Sequence, residues 1–358
     1  MTVFYVDGDN GNDSNDGSTE ALAKATIQAA VNAVTADRDV VYIQNNGSTV
    51  YTEQVTLPAY GVYLIGYGTT IGDNVRAVID GEDTRTYCIY QSTSDELFLY
   101  NMEIRNATSH GLSTVGAGKL FNVHAHDNGG DGHRVTTGNE HQAWFFCTFN
   151  DNGGNGLYNL NGNAIPSPVW YCDFYNNTGH GVFGYILIAY RCRYVKNNTG
   201  AYIISGNGFQ IQCIFDSNAQ HGAYGYYTHY CDCISSNNGS YGYATWATPS
   251  YVHLVNCNDY QNVSGRNNRS VAEDLDINPV STNPDFIAPY SVTNTDLADL
   301  DYHVGASSDC ADYASYIGCL NTNAAAKTMH DLGAQDRQDP TVGVNRSLGR
   351  YNRFGVFP

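Results

Sequence analysis

Charge is scarce in this sequence, and positive charge is scarcer still. Only 15% of the 358 residues are Asp, Glu, Lys or Arg, and 17 Lys and Arg stand against 35 Asp and Glu, a formal net charge of -18. Recognition of DNA or RNA through phosphates requires a basic stripe, so the balance argues against a nucleic-acid partner. It also disfavours capture of a polyanionic glycan unless a local basic patch or metal ions intervene. No apolar run approaches the roughly 20 residues that cross a bilayer as a helix, which argues against membrane insertion. The start, Met1-Thr2-Val3-Phe4-Tyr5-Val6, has neither a basic n-region nor an apolar h-region, so no signal peptide is visible. C-x-x-C pairs are absent as well, which removes the usual cysteine signature of a metal site.

What the chain does have is 42% hydrophobic residues, 37 Gly and 29 Tyr, a composition that folds. Between about 97 and 262 a pattern recurs: an alternating apolar strand, an Asn/Asp/Gly turn, then a glycine opening a second short strand. These glycines are Gly111, Gly132, Gly156, Gly181, Gly200, Gly222 and Gly242, 19 to 25 residues apart, one coil of a β-solenoid. The turns are rich in Asn, Asp and Gly, which tolerate the left-handed backbone that sharp corners need. Alignment on the glycines puts Met102, Val123, Cys147, Cys172, Cys192, Cys213, Cys233 and Cys257 in one column. Ile104, Ala125, Phe149, Phe174, Tyr194, Phe215 and Ser235 form another two residues later. Period-2 alternation turns both columns inward, and coils about 4.8 Å apart stack like residues in ladders. Six cysteines stacked in this way form an apolar ladder of reduced thiols, because near-parallel Cβ vectors suit a disulfide poorly.

The fold class is therefore all-β, a single-stranded parallel β-helix that we expect to be right-handed. Residues 1–37 are expected to form an N-terminal cap with a short amphipathic helix, because Ile27, Ala30, Val31 and Val34 share one helical face. Coils are expected over 38–262, starting with runs at Val40–Ile43, Val62–Ile65 and Ala77–Ile79. An irregular C-terminal cap is expected over 263–358, with Cys310 and Cys319 outside the ladder.

The sequence resembles the right-handed parallel β-helix superfamily of polysaccharide lyases, pectate-lyase-like proteins and phage tailspikes. The resemblance is carried by Phe4-Tyr5-Val6-Asp7, Asn12-Asp13-Ser14-Asn15-Asp16-Gly17, Thr26-Ile27-Gln28-Ala29-Ala30-Val31 and Tyr51-Thr52-Glu53-Gln54-Val55-Thr56-Leu57. Leu64-Ile65-Gly66-Tyr67-Gly68 and Val78-Ile79-Asp80-Gly81 extend it. Asn283-Pro284-Asp285-Phe286, Asp301-Tyr302-His303-Val304 and Asp331-Leu332-Gly333-Ala334 match more loosely. It implies a polysaccharide partner, a virion or extracellular setting and, for a spike, a homotrimer. Lyases of this group use an Arg or Lys base with calcium on acidic residues, and hydrolytic spikes use Asp/Glu pairs; no such motif transfers residue by residue.

Outward positions are candidates for chemistry. One column carries Glu103, His124, Thr148, Asp173 and Arg193, and its neighbour carries Arg105, His126, Asn150 and Tyr175. Titratable groups are densest at His124, His126, Asp127, Asp131, His133, Arg134, Glu140 and His141. For a lyase, His124 or His126 is the candidate base, with Arg134 and Arg105 stabilising charge. A Glu103–Asp173 hydrolytic pair is disfavoured, because three coils separate them by about 14 Å. Alternatively these histidines are solvated ladder positions, like His110, His180 and His221 in the turn column. Tyr158, Phe183, Tyr202 and Tyr224 form an outward stripe, widened by Tyr185, Tyr226 and Trp246, suited either to sugar stacking or to a subunit contact. The loop Asp7–Asp16 offers oxygen ligands for Ca²⁺, the alternative being Asx-turn capping. Three function classes follow: a polysaccharide-binding and cleaving tailspike, an exported uronate lyase whose leader was removed, and a non-catalytic virion decoration or fibre.

Overall fold

The computed structural model describes residues 1–267 apart from 94, 137–140, 161–166, 186, 246–250 and 256, together with residue 281 and the strands Leu275–Ile277, Phe286–Ala288 and Asp301–Val304. Glu140, Trp246, Cys310, Cys319, Asn283–Asp285, Asp331–Ala334 and most of the expected C-terminal cap lie outside the described residues.

Every coil contributes to three parallel sheets. The first begins with Val3–Asp7, in register with Val40–Gln44 and then Tyr63–Tyr67. It continues through Leu97–Tyr100, Gly118–Phe121 and Gln142–Phe145 to Tyr251–Val255. Coils are expected from residue 38, but the strand at residue 3 already belongs to the sheet; the pair at Phe4 and Val6 alternates inward like its successors. The second sheet runs from Val50–Tyr51 and Ala77–Asp80 through Met102–Arg105 and Val123–His126 to Asn258–Tyr260. The third runs from Val55–Thr56 through His110–Thr114 and His133–Val135 to Gly265–Asn267. A helix, Ile27–Ala33, packs Ile27, Ala30 and Val31 against the core. Its first amides donate to the Glu53 carboxylate, Ile27 N at 2.8 Å and Gln28 N at 2.9 Å. Phe286–Ala288 and Asp301–Val304 pair antiparallel, a departure from the solenoid.

Both predicted inward columns are fully buried: the sulfurs of Cys147 through Cys257, and the stack Phe149, Phe174, Tyr194 and Phe215, whose rings lie 4.9–5.4 Å apart and within 8° of parallel. The thiols are reduced and donate to carbonyls, as Cys192 Sγ does to Val169 O at 3.0 Å.

The glycine column has a different cause from the one the corners suggest. Its members are not left-handed; the left-handed residues are instead Asn106, Asp127, Asp151, Asn176, Lys196, Ser217, Asn237 and Gln261 at one corner and Asn101, Asn122, Phe146, Tyr171, Arg191, Gln212 and Asp232 at the other. The glycines are needed for close approach. A Cβ on Gly181 would meet the Gly200 carbonyl oxygen at 2.6 Å, and one on Gly200 would meet that of Gly222 at 2.3 Å.

His133 is wholly buried at the start of its strand. It accepts from Trp144 Nε1 at 2.9 Å through Nδ1, which leaves Nε2–H to donate to Thr114 Oγ1 at 2.9 Å. Burial pushes its pKa down to about 3, and burial pushes His180 down to about 4. The unfolded chain therefore binds protons before the native one does. Stability is expected to be intact above pH about 6.5 and to fall on acidification toward pH 4, by about 1.4 kcal/mol per pH unit for the fully buried His133 alone. Thermal melts across that window check this; a His133→Gln variant should flatten the slope, and an unchanged slope would contradict it.

Candidate functional site

The second sheet turns one row of polar side chains outward between its first coils. Register places His124 directly on Glu103, and His126 on Arg105. Alternation keeps Glu103, His124, Arg105 and His126 on the same outer face. The two imidazole centroids lie 4.1 Å apart, nearly parallel at 28°.

Hydrogen bonds set the direction of each ring. Asn150 Nδ2 donates to Asp151 Oδ2 at 2.6 Å, which aims Asn150 Oδ1 at His124. His124 Nε2–H donates to that oxygen at 2.6 Å, leaving the lone pair on Nδ1. His126 Nδ1–H donates to Asp127 Oδ2 at 2.7 Å. Its Nε2 stands 3.4 Å from Glu103 Oε1 and is buried without a hydrogen-bond partner. Arg105 is locked by Asp80 at 2.8 Å and Glu103 at 2.9 Å. Burial, then the neighbouring His126, brings His124 down to about 4. His126 moves the other way: burial lowers it, but the Glu103 and Asp127 carboxylates together raise it further. Contact with His126 in turn holds Glu103 below the usual carboxylate range.

Arg76, which lies outside every repeat column and carries no sequence signal, joins this group. It donates to Asn122 O at 3.2 Å and Asn122 Oδ1 at 2.7 Å, and its charge acts on His124. Among the described residues no carboxylate lies within ion-pair distance of it, and burial lowers its pKa.

Arg134 is placed elsewhere. It stands on the third sheet, where it donates to Asp131 Oδ2 at 3.1 Å and covers the Tyr158 ring at 4.3 Å. The guanidinium groups beside the imidazoles are those of Arg105 and Arg76. The role expected for Arg134 beside His124 therefore does not follow from its position, because the turn at Asp127–Gly132 carries the chain to another face.

Asp173 is not open to a ligand. It takes both Arg193 Nε at 2.7 Å and Nη2 at 2.8 Å, and its side chain is 4% exposed. Register confirms three coils between it and Glu103. Asp173→Ala leaves a buried guanidinium without this pair and is expected to cost about 3–5 kcal/mol of stability; a change below about 1 kcal/mol in urea unfolding would contradict it.

Tyr158, Phe183, Tyr202 and Tyr224 do form a row, in register on the third sheet. Their ring centroids are 4.9–5.1 Å apart, with Tyr158 and Phe183 at 12° and Phe183 and Tyr202 at 30°. Arg134, the neighbouring rings, and His180 and His221 lie against the ring faces. Edges and hydroxyls remain for contact. The sequence missed an exposed aromatic row on the first sheet, Tyr100, Phe121, Phe145, Trp170 and Tyr190, in which Trp170 is 38% exposed and nearly perpendicular to both Phe145 and Tyr190.

The loop Asp7–Asp16 does not fit calcium. Asp7 Oδ1 accepts the amides of Asp9 and Asn10, and Asp13 Oδ1 accepts those of Ala25 and Thr26. The Lys24 ammonium occupies the carbonyls of Asp13 and Asn15 at 3.2 and 2.7 Å, where a cation would sit. These are Asx turns around an internal cation.

Three stacked parallel sheets with a polar outward cluster on the second define a right-handed parallel β-helix protein. Among solved structures the chain is similar to pectate lyase Pel9A, at 16% identity and a TM-score of 0.59, over 94% of this chain and 97% of that one. More remote are the Azotobacter vinelandii mannuronan C-5 epimerase AlgE6 A-module, 14% identical over 77% of this chain and 97% of that one with a TM-score of 0.43, and Geobacillus virus E2 ORF18, 13% identical over 78% and 60% with a TM-score of 0.39. The first of these shows the fold, and the other two are too distant to carry an argument. No family model matches the chain. No curated protein matches it. Among the described residues no helix is long and apolar enough to cross a membrane.

Proposed function

We propose that this chain acts on an acidic polysaccharide, a uronic-acid polymer, on the outer face of the second sheet near Glu103, His124 and His126. The observation that carries the reading is the pair of imidazoles 4.1 Å apart, each oriented by its own acceptor and flanked by Arg105 and Arg76. Arg76, which has no carboxylate within ion-pair distance among the described residues, is the cation left for a uronate carboxylate, whereas Arg105 is held by Asp80 and Glu103.

In this reading a guanidinium faces the uronate carboxylate, and His124 Nδ1 takes the proton from the carbon beside it. The electron pair forms a carbon–carbon double bond as the glycosidic carbon–oxygen bond breaks. His126, held between Asp127 and Glu103, gives a proton to the departing oxygen. A Glu103–Asp173 hydrolytic pair is not part of this scheme, since Asp173 is committed to Arg193. The test is a panel of polyuronates and neutral glycans, followed by absorbance of the new double bond and by chain length. Cleavage with absorbance is expected on a polyuronate. Cleavage without absorbance, or of neutral chains alone, would overturn the reading.

The virion or extracellular setting and the side-by-side homotrimer are part of the same proposal. The exposed first-sheet aromatics, Trp170 at 38% and Phe209 at 39%, favour the subunit contact. Native mass tests the trimer, and a monomer at working concentration would remove it.

A further inference from the structure

We propose that Glu103, His124 and His126 form a binding site for one divalent transition-metal ion of the zinc class. One donor atom from each residue lies within 4.8 Å of the other two, and no other His/Cys/Asp/Glu group among the described residues converges in this way. His126 Nε2 and Glu103 Oε1 are 3.4 Å apart. Two ligands of a tetrahedral ion with bonds of about 2.1 Å are separated by about 3.4 Å, so this pair already spans one edge of the polyhedron.

The rings are presented as metal ligands are. Each imidazole gives one N–H to a fixed acceptor, His126 to Asp127 and His124 to Asn150, which Asp151 orients in turn. Such outer contacts set the tautomer and direct the remaining lone pair, and a carboxylate–imidazole pair raises ligand basicity. His126 Nε2 is buried and faces the Glu103 carboxylate oxygen at 3.4 Å without a hydrogen bond. Either a proton or a metal cation between the two offsets the repulsion of a bare lone pair and a carboxylate. All three residues stand on paired strands of one sheet, a stiffer platform than a loop.

Donor chemistry selects the metal. Two imidazoles and one carboxylate suit zinc, cobalt or nickel, whereas calcium and magnesium prefer oxygen alone. Arg105 takes a lone pair of the same Glu103 oxygen at 2.9 Å, so a single carboxylate carries only part of its charge to the ion. Three protein donors leave a coordination position open toward solvent. Metal binding does not depend on the polysaccharide reading, but it uses the lone pairs that proton transfer needs. The two states exclude each other, so zinc is an inhibitor of any turnover at this site.

The test uses the full chain stripped with a chelator and titrated with Zn²⁺ by calorimetry, and with Co²⁺ followed by visible absorption. One ion per chain, a tetrahedral Co²⁺ spectrum and a zinc-dependent rise in melting temperature are expected. Glu103→Gln and His126→Ala are each expected to weaken binding at least about 10-fold, and Asp127→Asn by about 10-fold with the site retained. His221→Ala, on another face, should bind as the parent does. Melting without metal identifies any variant that fails to fold, and His126→Gln then takes its place. The proposal is overturned by no stoichiometric uptake, by uptake unchanged in both Glu103→Gln and His126→Ala, or by uptake lost instead in His229→Ala and His253→Ala, two imidazoles in register on the first sheet with ring centroids 4.8 Å apart. Turnover by the metal-free chain separately decides the polysaccharide reading.

Discussion

His124→Ala is expected to lower elimination on a uronate polymer by about 100- to 10,000-fold, the range that a positioned general base contributes. The loss should fall on kcat, because Nδ1 acts on the proton in transit while the flanking guanidinium groups hold the substrate. His124→Gln keeps a donor to Asn150 but offers no base, so it should be nearly as slow. Arg134→Ala should behave differently. Its guanidinium is spent on Asp131 and the Tyr158 ring, so it is expected to change KM modestly and leave kcat near the parent. Initial rates under metal-free conditions check both. If Arg134→Ala were the slower enzyme, the reacting centre would lie on the third sheet and this assignment would fail.

Asn177→Ala is expected to destabilise the solenoid by about 3–5 kcal/mol, more than most single substitutions. Asn177 is a rung of a buried ladder comprising Asn128, Asn152, Asn177, Asn197, Asn218, Asn238 and Asn262. Its Nδ2 donates to Phe149 O at 3.0 Å and to Asn197 Oδ1 at 2.9 Å. Its Oδ1 accepts Asn152 N at 3.2 Å and Asn152 Nδ2 at 2.9 Å. Removing the amide strands groups on both adjacent coils in a place water does not reach. Urea unfolding midpoints measure the effect. Asn176→Ala, at the half-buried left-handed position before it, loses one side-chain bond to Asp151 and should cost far less. Equal losses at the two positions would mean the ladder contributes little.

The ladder also shows where sequence reading succeeds and where it stops. Cysteine and aromatic columns were legible because period-2 alternation and the glycine spacing jointly set the register, and both columns are buried as read. The asparagines were legible only as turn formers. Their signal is that the residue after the left-handed corner is Asn at the seven coils from Asp127 to Gln261, Ala107 standing there only in the coil before, while the corner residue itself varies from Asp127 to Lys196 to Ser217. Invariance at the second position marks a side chain with its own bonds, not a backbone preference. Glu103, His124 and His126 were legible as neighbours from the columns, since neighbours in register are neighbours in space. Arg76 was not, because it comes from an excursion with no repeat to align. Ring orientation was also out of reach: a column predicts that tyrosines adjoin, and only χ angles decide whether they face a ligand or each other.

The cysteine column has one more consequence. Burial, first of all, raises the thiols of Cys172, Cys213 and Cys233 well above their ordinary range, so the reactive thiolate is suppressed while the coils stay shut. An alkylating reagent then labels each sulfur only through opening of its own stretch of the rod. Six positions from Cys147 to Cys257 thus act as reporters spaced along the axis. Their labelling rates, read by peptide mass, would chart how local breathing varies from one end to the other.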